Sequence, residues 1–120
     1  MSNYPKTMKA LVAYSLTDYR FEAAYPSPEC GDDDIIVKIE GCGICAGDLK
    51  CQHGAAMFWG DSIQPGYVKP PFIPGHEFLG TVAAMGANVK GFNPGDRVAP
   101  DQIVPCGECR FCKTSFYSRS

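Results

Sequence analysis

Seven cysteines stand in a chain of 120 residues, an odd number that cannot all pair internally. Three of them, Cys106, Cys109 and Cys112, recur as C-x-x-C-x-x-C in PCGECRFC. Thiolates at that spacing can wrap one tetrahedral zinc ion in a tight loop, and Gly107 relieves the bend. A second group is more spread out: Cys45 lies in GCGICAGDLK, and the neighbours His76 and Glu77 lie in PGHEFLG. Thiolate, imidazole and carboxylate are suitable donors for a zinc ion that activates a substrate, a role that needs three protein ligands and one open position. Glycines at Gly43, Gly47, Gly75 and Gly80 let backbone pass close to an ion without Cβ clashes. For this second group, spacing alone also admits an incidental neighbourhood.

Short strands must position these groups. Met8–Leu16 (MKALVAYSL) reads as a first strand and Tyr19–Tyr25 as a second. Pro26 and Pro28 close the second, because proline supplies no ladder donor. Asp32–Asp34, after Gly31, reads as a solvated turn. Ile35–Glu40 reads as a half-buried strand, with Val37 and Ile39 inward and Lys38 and Glu40 outward. A short helix is expected to start within Asp48–Gln52. His53–Pro74 holds Pro65, Pro70, Pro71 and Pro74 and reads as a long irregular loop, of a length that usually serves function. Phe78–Met85 returns to strand. Ala87–Asp96 is a turn-rich connection ending in Asn93-Pro94-Gly95, and Arg97–Ile103 reads as a last strand. Pro105–Ser120 is a small cysteine-bearing lobe. The sum is an all-β dominated fold, a barrel or sandwich with one or two helical turns.

Composition agrees. Thirteen glycines and ten prolines make up about a fifth of the chain, against an average of about 12%. Apolar residues at 45% and charged residues at 20% are an ordinary globular balance, and the length suits one domain or part of a larger protein. A net charge of −2 and a pI near 5.6 give no basic footprint for nucleic acid or an anionic membrane. No apolar run approaches a bilayer-spanning length, and Met1–Lys9 is too polar for a secretory signal. Cytoplasm is therefore the expected address, where clustered cysteines are ligands rather than disulfides.

The ordered motifs G-x-C-x-x-D at Gly43–Asp48, G-H-E at Gly75–Glu77, G-D-R-V at Gly95–Val98 and C-x-x-C-x-x-C at Cys106–Cys112 span most of the chain. Together they resemble the zinc-containing medium-chain alcohol and polyol dehydrogenases. CAGDLKCQHGAAMFWG most resembles the sugar-alcohol branch of erythritol and threitol type. The resemblance implies that residues 1–120 form the amino-terminal catalytic domain, a GroES-like, partly open β-barrel. Pro105–Ser120 would be its small cysteine-rich lobe. It implies zinc ligation by Cys45 and His76, with Glu77 a direct or alternating ligand. Asp48 would accept a hydrogen bond from the other ring nitrogen of His76. The remaining protein ligand of the family lies beyond Ser120.

The implied reaction oxidises a secondary alcohol or polyol to a ketone, with zinc as Lewis acid and hydride passing to NAD or NADP. A homo-oligomer is expected at full length. No strand-linked G-x-G-x-x-G is present, and Gly41-Cys42-Gly43 lacks both the third glycine and a following βαβ unit. The cofactor-binding Rossmann domain is thus expected to be missing from this stretch, which by itself should not turn over substrate. Many family members carry a Ser or Thr, two residues after the first cysteine ligand, that passes the proton outward. Gly47 has no hydroxyl, which leaves water, Glu77, Lys50 or His53 to carry the proton.

Phe58 and Trp59, with Met57, either wall the substrate cleft or pack the long loop onto the barrel. His53 reads as an ordinary loop histidine, Cys42 as a small buried hydrophobe, Cys51 as a helix residue and Cys30 as a loop or edge thiol. The resemblance makes Cys106, Cys109 and Cys112 ligands of a structural zinc. The family's fourth ligand falls at Ser120, a poor donor, so this lobe is expected to be incomplete. Two other readings compete. A non-enzymatic zinc-binding interaction module built on Cys106–Cys112 leaves His76 and Glu77 without a purpose. A co-chaperonin-like oligomer subunit leaves the cysteines idle.

Overall fold

In the computed structural model, which describes residues 4–114, two antiparallel sheets carry the chain. β1 (Thr7–Ser15) and β2 (Asp18–Pro26) form a two-stranded ribbon. β3 (Ile35–Gly43), β4 (Glu77–Met85) and β5 (Arg97–Val98) form a three-stranded sheet in that order. The sheets do not close on one another. A bridge between Ala13 and Phe72 joins the ribbon to the long loop, with backbone hydrogen bonds in both directions at 2.8 and 3.1 Å. Alternation in β1 buries Ala10 and Val12, and the adjacent Ala13 is also fully covered. Val82 of β4 is the matching buried residue in the second sheet.

Three short helices interrupt the strands: α1 (Ala46–Gln52), α2 (Ala56–Trp59) and α3 (Arg110–Lys113). α2 folds part of the expected irregular loop. Beyond it Asp61 closes a tight turn, its carboxylate accepting the N–H groups of Gln64 at 2.9 Å and Ile63 at 2.7 Å. Those bonds, Gln64 first, hold the Asp61 carboxyl below the usual carboxylate range.

Three expectations need correction. The last strand is confined to Arg97–Val98 rather than reaching Ile103; Pro100, two residues on, has no N–H for a ladder. Ile39 is not covered but 51% exposed: it pairs in continuous register with Val37, opposite Gly80, yet the face they share is left open at that end of the sheet. Cys42 is exposed rather than buried.

Register matters most at the open end of the β3–β4 pair. The last rung pairs Gly43 with Glu77. Cys45 leaves β3 two residues past that rung, and His76 enters β4 one residue before it. Two residues 31 positions apart are thereby delivered to the same sheet end. Gly80 holds the register: a Cβ there would collide with the carbonyl oxygen of Lys38.

Candidate active site

Cys45 is the N-cap of α1, with an extended backbone (φ −110°, ψ 175°). A capping box fixes it: the Cys45 N–H donates to Asp48 Oδ2 at 2.9 Å, and its Sγ accepts from the backbone N–H of Gly47 at 3.1 Å. The local sequence therefore dictates where the sulfur points before any partner arrives. His76 approaches from the start of β4 and brings Nε2 to 3.2 Å from Cys45 Sγ. Its other nitrogen, Nδ1, faces Asp48 Oδ1 at 3.6 Å. One donor atom each from Cys45, Asp48 and His76 lies within 4.8 Å of the others, and all three residues are half-buried.

Asp48 Oδ2 is thus engaged by the Cys45 N–H, while Oδ1 faces His76 Nδ1 from just beyond hydrogen-bond distance. A proton on Nδ1 facing that carboxylate leaves the Nε2 lone pair directed at Cys45. Gly47 lies over the pair: a Cβ there would sit 3.2 Å from Cys45 Sγ and 3.6 Å from the His76 ring. Glu77 stands outside this group, is exposed, and lays its carboxylate against Gly43 across the last rung.

The glycines flanking the site have separate reasons. Gly47 borders the sulfur and the imidazole. Gly75 adopts φ +103°, with the sulfur of Cys42 where a Cβ would point. Gly80 makes room for the Lys38 backbone rather than for an ion.

The aromatic residues of the loop pack within it. Phe58 lies against Tyr67 with ring centroids 5.2 Å apart, and Trp59 against Phe72 at 6.0 Å. Trp59 Nε1 also donates to the Cys51 carbonyl at 2.7 Å. Met57 is exposed. His53 is the exposed C-cap residue of α1, and the Cys51 thiol is buried beneath that helix. Sequence reasoning missed this hydrogen bond of Trp59; an indole eight residues past Cys51 was its only signal.

Cys106, Cys109 and Cys112 form the second donor group. Cys112 Sγ lies 3.7 Å from Cys106 and 3.6 Å from Cys109, and the N–H of Cys109 donates to Cys106 Sγ. The backbone N–H groups of Cys109 and Glu108 pull the Cys106 thiol down to about 7. Ser120, the position expected for a fourth ligand, lies outside the described residues.

A strand-rich domain thus presents a thiol, an imidazole and a carboxylate at one sheet end, with three clustered cysteines further along, two donor groups of a kind that could hold metal ions. Residues 31–120 match the family described as the alcohol dehydrogenase GroES-like domain, and the chain belongs to that family.

The erythritol/L-threitol dehydrogenase of Mycolicibacterium smegmatis is 47% identical over 98% of this chain and 33% of its own length. The sorbitol dehydrogenase of Bacillus subtilis is 36% identical over 95% of this chain and 30% of its own. A crystal structure from Sinorhizobium meliloti 1021, described as a zinc-binding dehydrogenase bound to NADP, superposes with a TM-score of 0.79 at 34% identity. It is covered for 30% of its length by 94% of this chain. The chain spans about a third of the length of the relatives it matches.

Proposed function

We propose that this chain is the catalytic-domain portion of a zinc-dependent NAD(P) dehydrogenase that oxidises a secondary alcohol of a small polyol to a ketone. The observation that carries this is the Cys45–His76–Asp48 arrangement. A soft cysteine sulfur and an imidazole nitrogen converge at 3.2 Å, and a carboxylate sits behind the imidazole. That donor set suits zinc. Cys45 and His76 would hold the ion, with Asp48 orienting the ring and Glu77 serving as an alternating carboxylate from the adjacent position. When bound, zinc supplies a Lewis acid that polarises the substrate oxygen.

The chain's own residues supply placement. The capping box fixes the sulfur, Asp48 holds the tautomer of His76, and Gly47 leaves the space above the pair free of any Cβ. With no hydroxyl at Gly47, the substrate proton would leave through water, Glu77, Lys50 or His53. Phe58 and Trp59 would wall the approach to the site while anchoring the loop. Cys106, Cys109 and Cys112 would hold a structural zinc. The 47% identity to an erythritol/L-threitol dehydrogenase supports a four-carbon polyol as substrate. Among the described residues no helix is long and apolar enough to cross a membrane. All seven cysteines are free thiols, which supports a cytoplasmic setting.

The 120-residue stretch by itself is expected not to reduce NAD or NADP. The direct test replaces the corresponding third of the Mycolicibacterium smegmatis relative with this chain. Polyol-dependent reduction of NAD or NADP by the hybrid is expected. His76→Ala in the hybrid should lower kcat/KM by about a hundredfold or more while the protein stays folded, the scale set by losing metal polarisation. Activity within about tenfold of the parent hybrid would remove His76 from its assigned role.

A further inference from the structure

Cys45 and Asp48 ride on α1, whereas His76 rides on the segment that runs from Phe72 into β4. The 3.2 Å between Cys45 Sγ and His76 Nε2 therefore depends on how two separate pieces of chain are held together. The last β3–β4 rung, Gly43 with Glu77, brings the start of α1 and His76 to one sheet end, but α1 itself belongs to neither sheet, so no ladder fixes its direction from there. Trp59 touches both pieces. Its Nε1 donates to the Cys51 carbonyl at 2.7 Å, shorter than the 3.1 Å bond that the same carbonyl accepts from the Gly54 N–H. Its ring packs on Phe72 at a tilt of 60°. Phe72 in turn is anchored to the fully buried Ala13 by backbone bonds in both directions, and it precedes His76 by four residues.

We propose that Trp59 is a positioning residue that sets the spacing between Cys45 and His76, by tying the last turn of α1 to the strand-anchored segment that carries His76. An indole is well suited to such a tie, since one rigid group offers an N–H at its edge and a broad apolar face, and it loses little rotamer freedom in using both. The bond is made at the C-terminal end of α1, where carbonyls lack intrahelical donors and a side-chain N–H is most useful. The spacing it sets is a property of the chain itself. Only its consequence for zinc rests on the reading given under the preceding heading.

The chain has two histidines, so its imidazole nitrogens can be followed one by one by NMR in a 15N-labelled sample, with His76→Gln assigning the pair. Trp59→Phe keeps a ring against Phe72 and removes the N–H. Without metal, it is expected to displace the ring resonances of His76 while those of His53 stay in place. A purely structural role would lower the melting temperature and leave His76 unmoved. Titrated with zinc, His76 should respond with an affinity about two- to tenfold weaker in Trp59→Phe than in the parent, the scale of one lost hydrogen bond.

Should Trp59→Phe fail to fold, Phe72→Leu loosens the same tie from its other end and is expected to displace His76 similarly. Unchanged His76 resonances in whichever of these variants folds would overturn the proposal, and so would zinc affinity equal to that of the parent. If zinc leaves His76 of the parent chain unmoved, it is the metal assignment that fails, and the metal-free comparison still decides the role of Trp59.

Discussion

At the scale of single residues, the division of labour between Asp48 and Glu77 is the sharpest point. Both carboxylates belong to the matched motifs, yet only Asp48 is tied into the site. Its two oxygens have different partners: Oδ2 completes the cap of α1 and Oδ1 faces the His76 ring. Asp48→Asn keeps the shape but offers an amide in place of one acceptor, so either the cap or the imidazole loses its partner. Zinc affinity at Cys45 and His76, measured by competition with a chelator, is expected to fall about 10–100-fold, the usual penalty for an outer partner of a ligating histidine. An unchanged affinity would remove Asp48 from the orienting role. Helix stability should fall along with it, because the capping box is broken at the same time.

At the scale of elements, the β3–β4 pair is the frame on which the site depends, and Gly80 is its most sensitive position. Gly80 pairs with Ile39 on one side and Val98 on the other. A methyl there would run into the Lys38 carbonyl oxygen, a backbone group that cannot swing aside. Gly80→Ala is therefore expected to cost about 1–3 kcal/mol, as overpacking does in well-filled interiors. In a chain of this size that lowers the melting temperature by roughly 5–15 °C by calorimetry or circular dichroism. An unshifted melt would mean that β3 and β4 part more easily than their register implies. These elements also show what the sequence reveals and what it hides. β1, β2 and β4 were legible to within a residue because their boundaries coincide with prolines, turns and the end of an apolar run. α1 was legible only from Asp48 onward, since cysteine is not among the residues that usually signal an N-cap. β3 runs on through three small or apolar residues to Gly43, and Ile39 is left exposed because nothing covers that part of the face, which a two-residue period cannot foresee. The Cys45–His76 pairing was legible from the motifs. The distance between the two depends on strand register and on an indole that belongs to neither motif, and neither of these has a local signature.

At the scale of the whole molecule, the chain encloses little. The buried apolar residues among those described are Ala10, Val12, Ala13, Cys51, Val82 and Cys112, all small or medium in size. Ile44, Ile63 and Val104 are more than four-fifths exposed, and Leu49, Met57 and Tyr67 more than half. The radius of gyration of 16.2 Å exceeds the value of about 13.6 Å expected for a compact domain of this length, and one dimension is only 22 Å. A flat body with this many exposed large apolar side chains is expected to associate in water wherever they adjoin, since contiguous apolar surface is normally covered by other protein. Ile44 and Leu49 bracket Cys45 in sequence and both are exposed, so anything that covered them would also limit the access of water to the sulfur. The isolated 120-residue chain is expected to bind a hydrophobic dye such as ANS and to elute earlier from a sizing column as its concentration rises. In the hybrid with the Mycolicibacterium smegmatis relative, the same residues should lose most of that dye binding. If they kept it, the exposed residues beside Cys45 would be outer surface in the assembled protein as well, and the site would have to exclude water with its own loop alone.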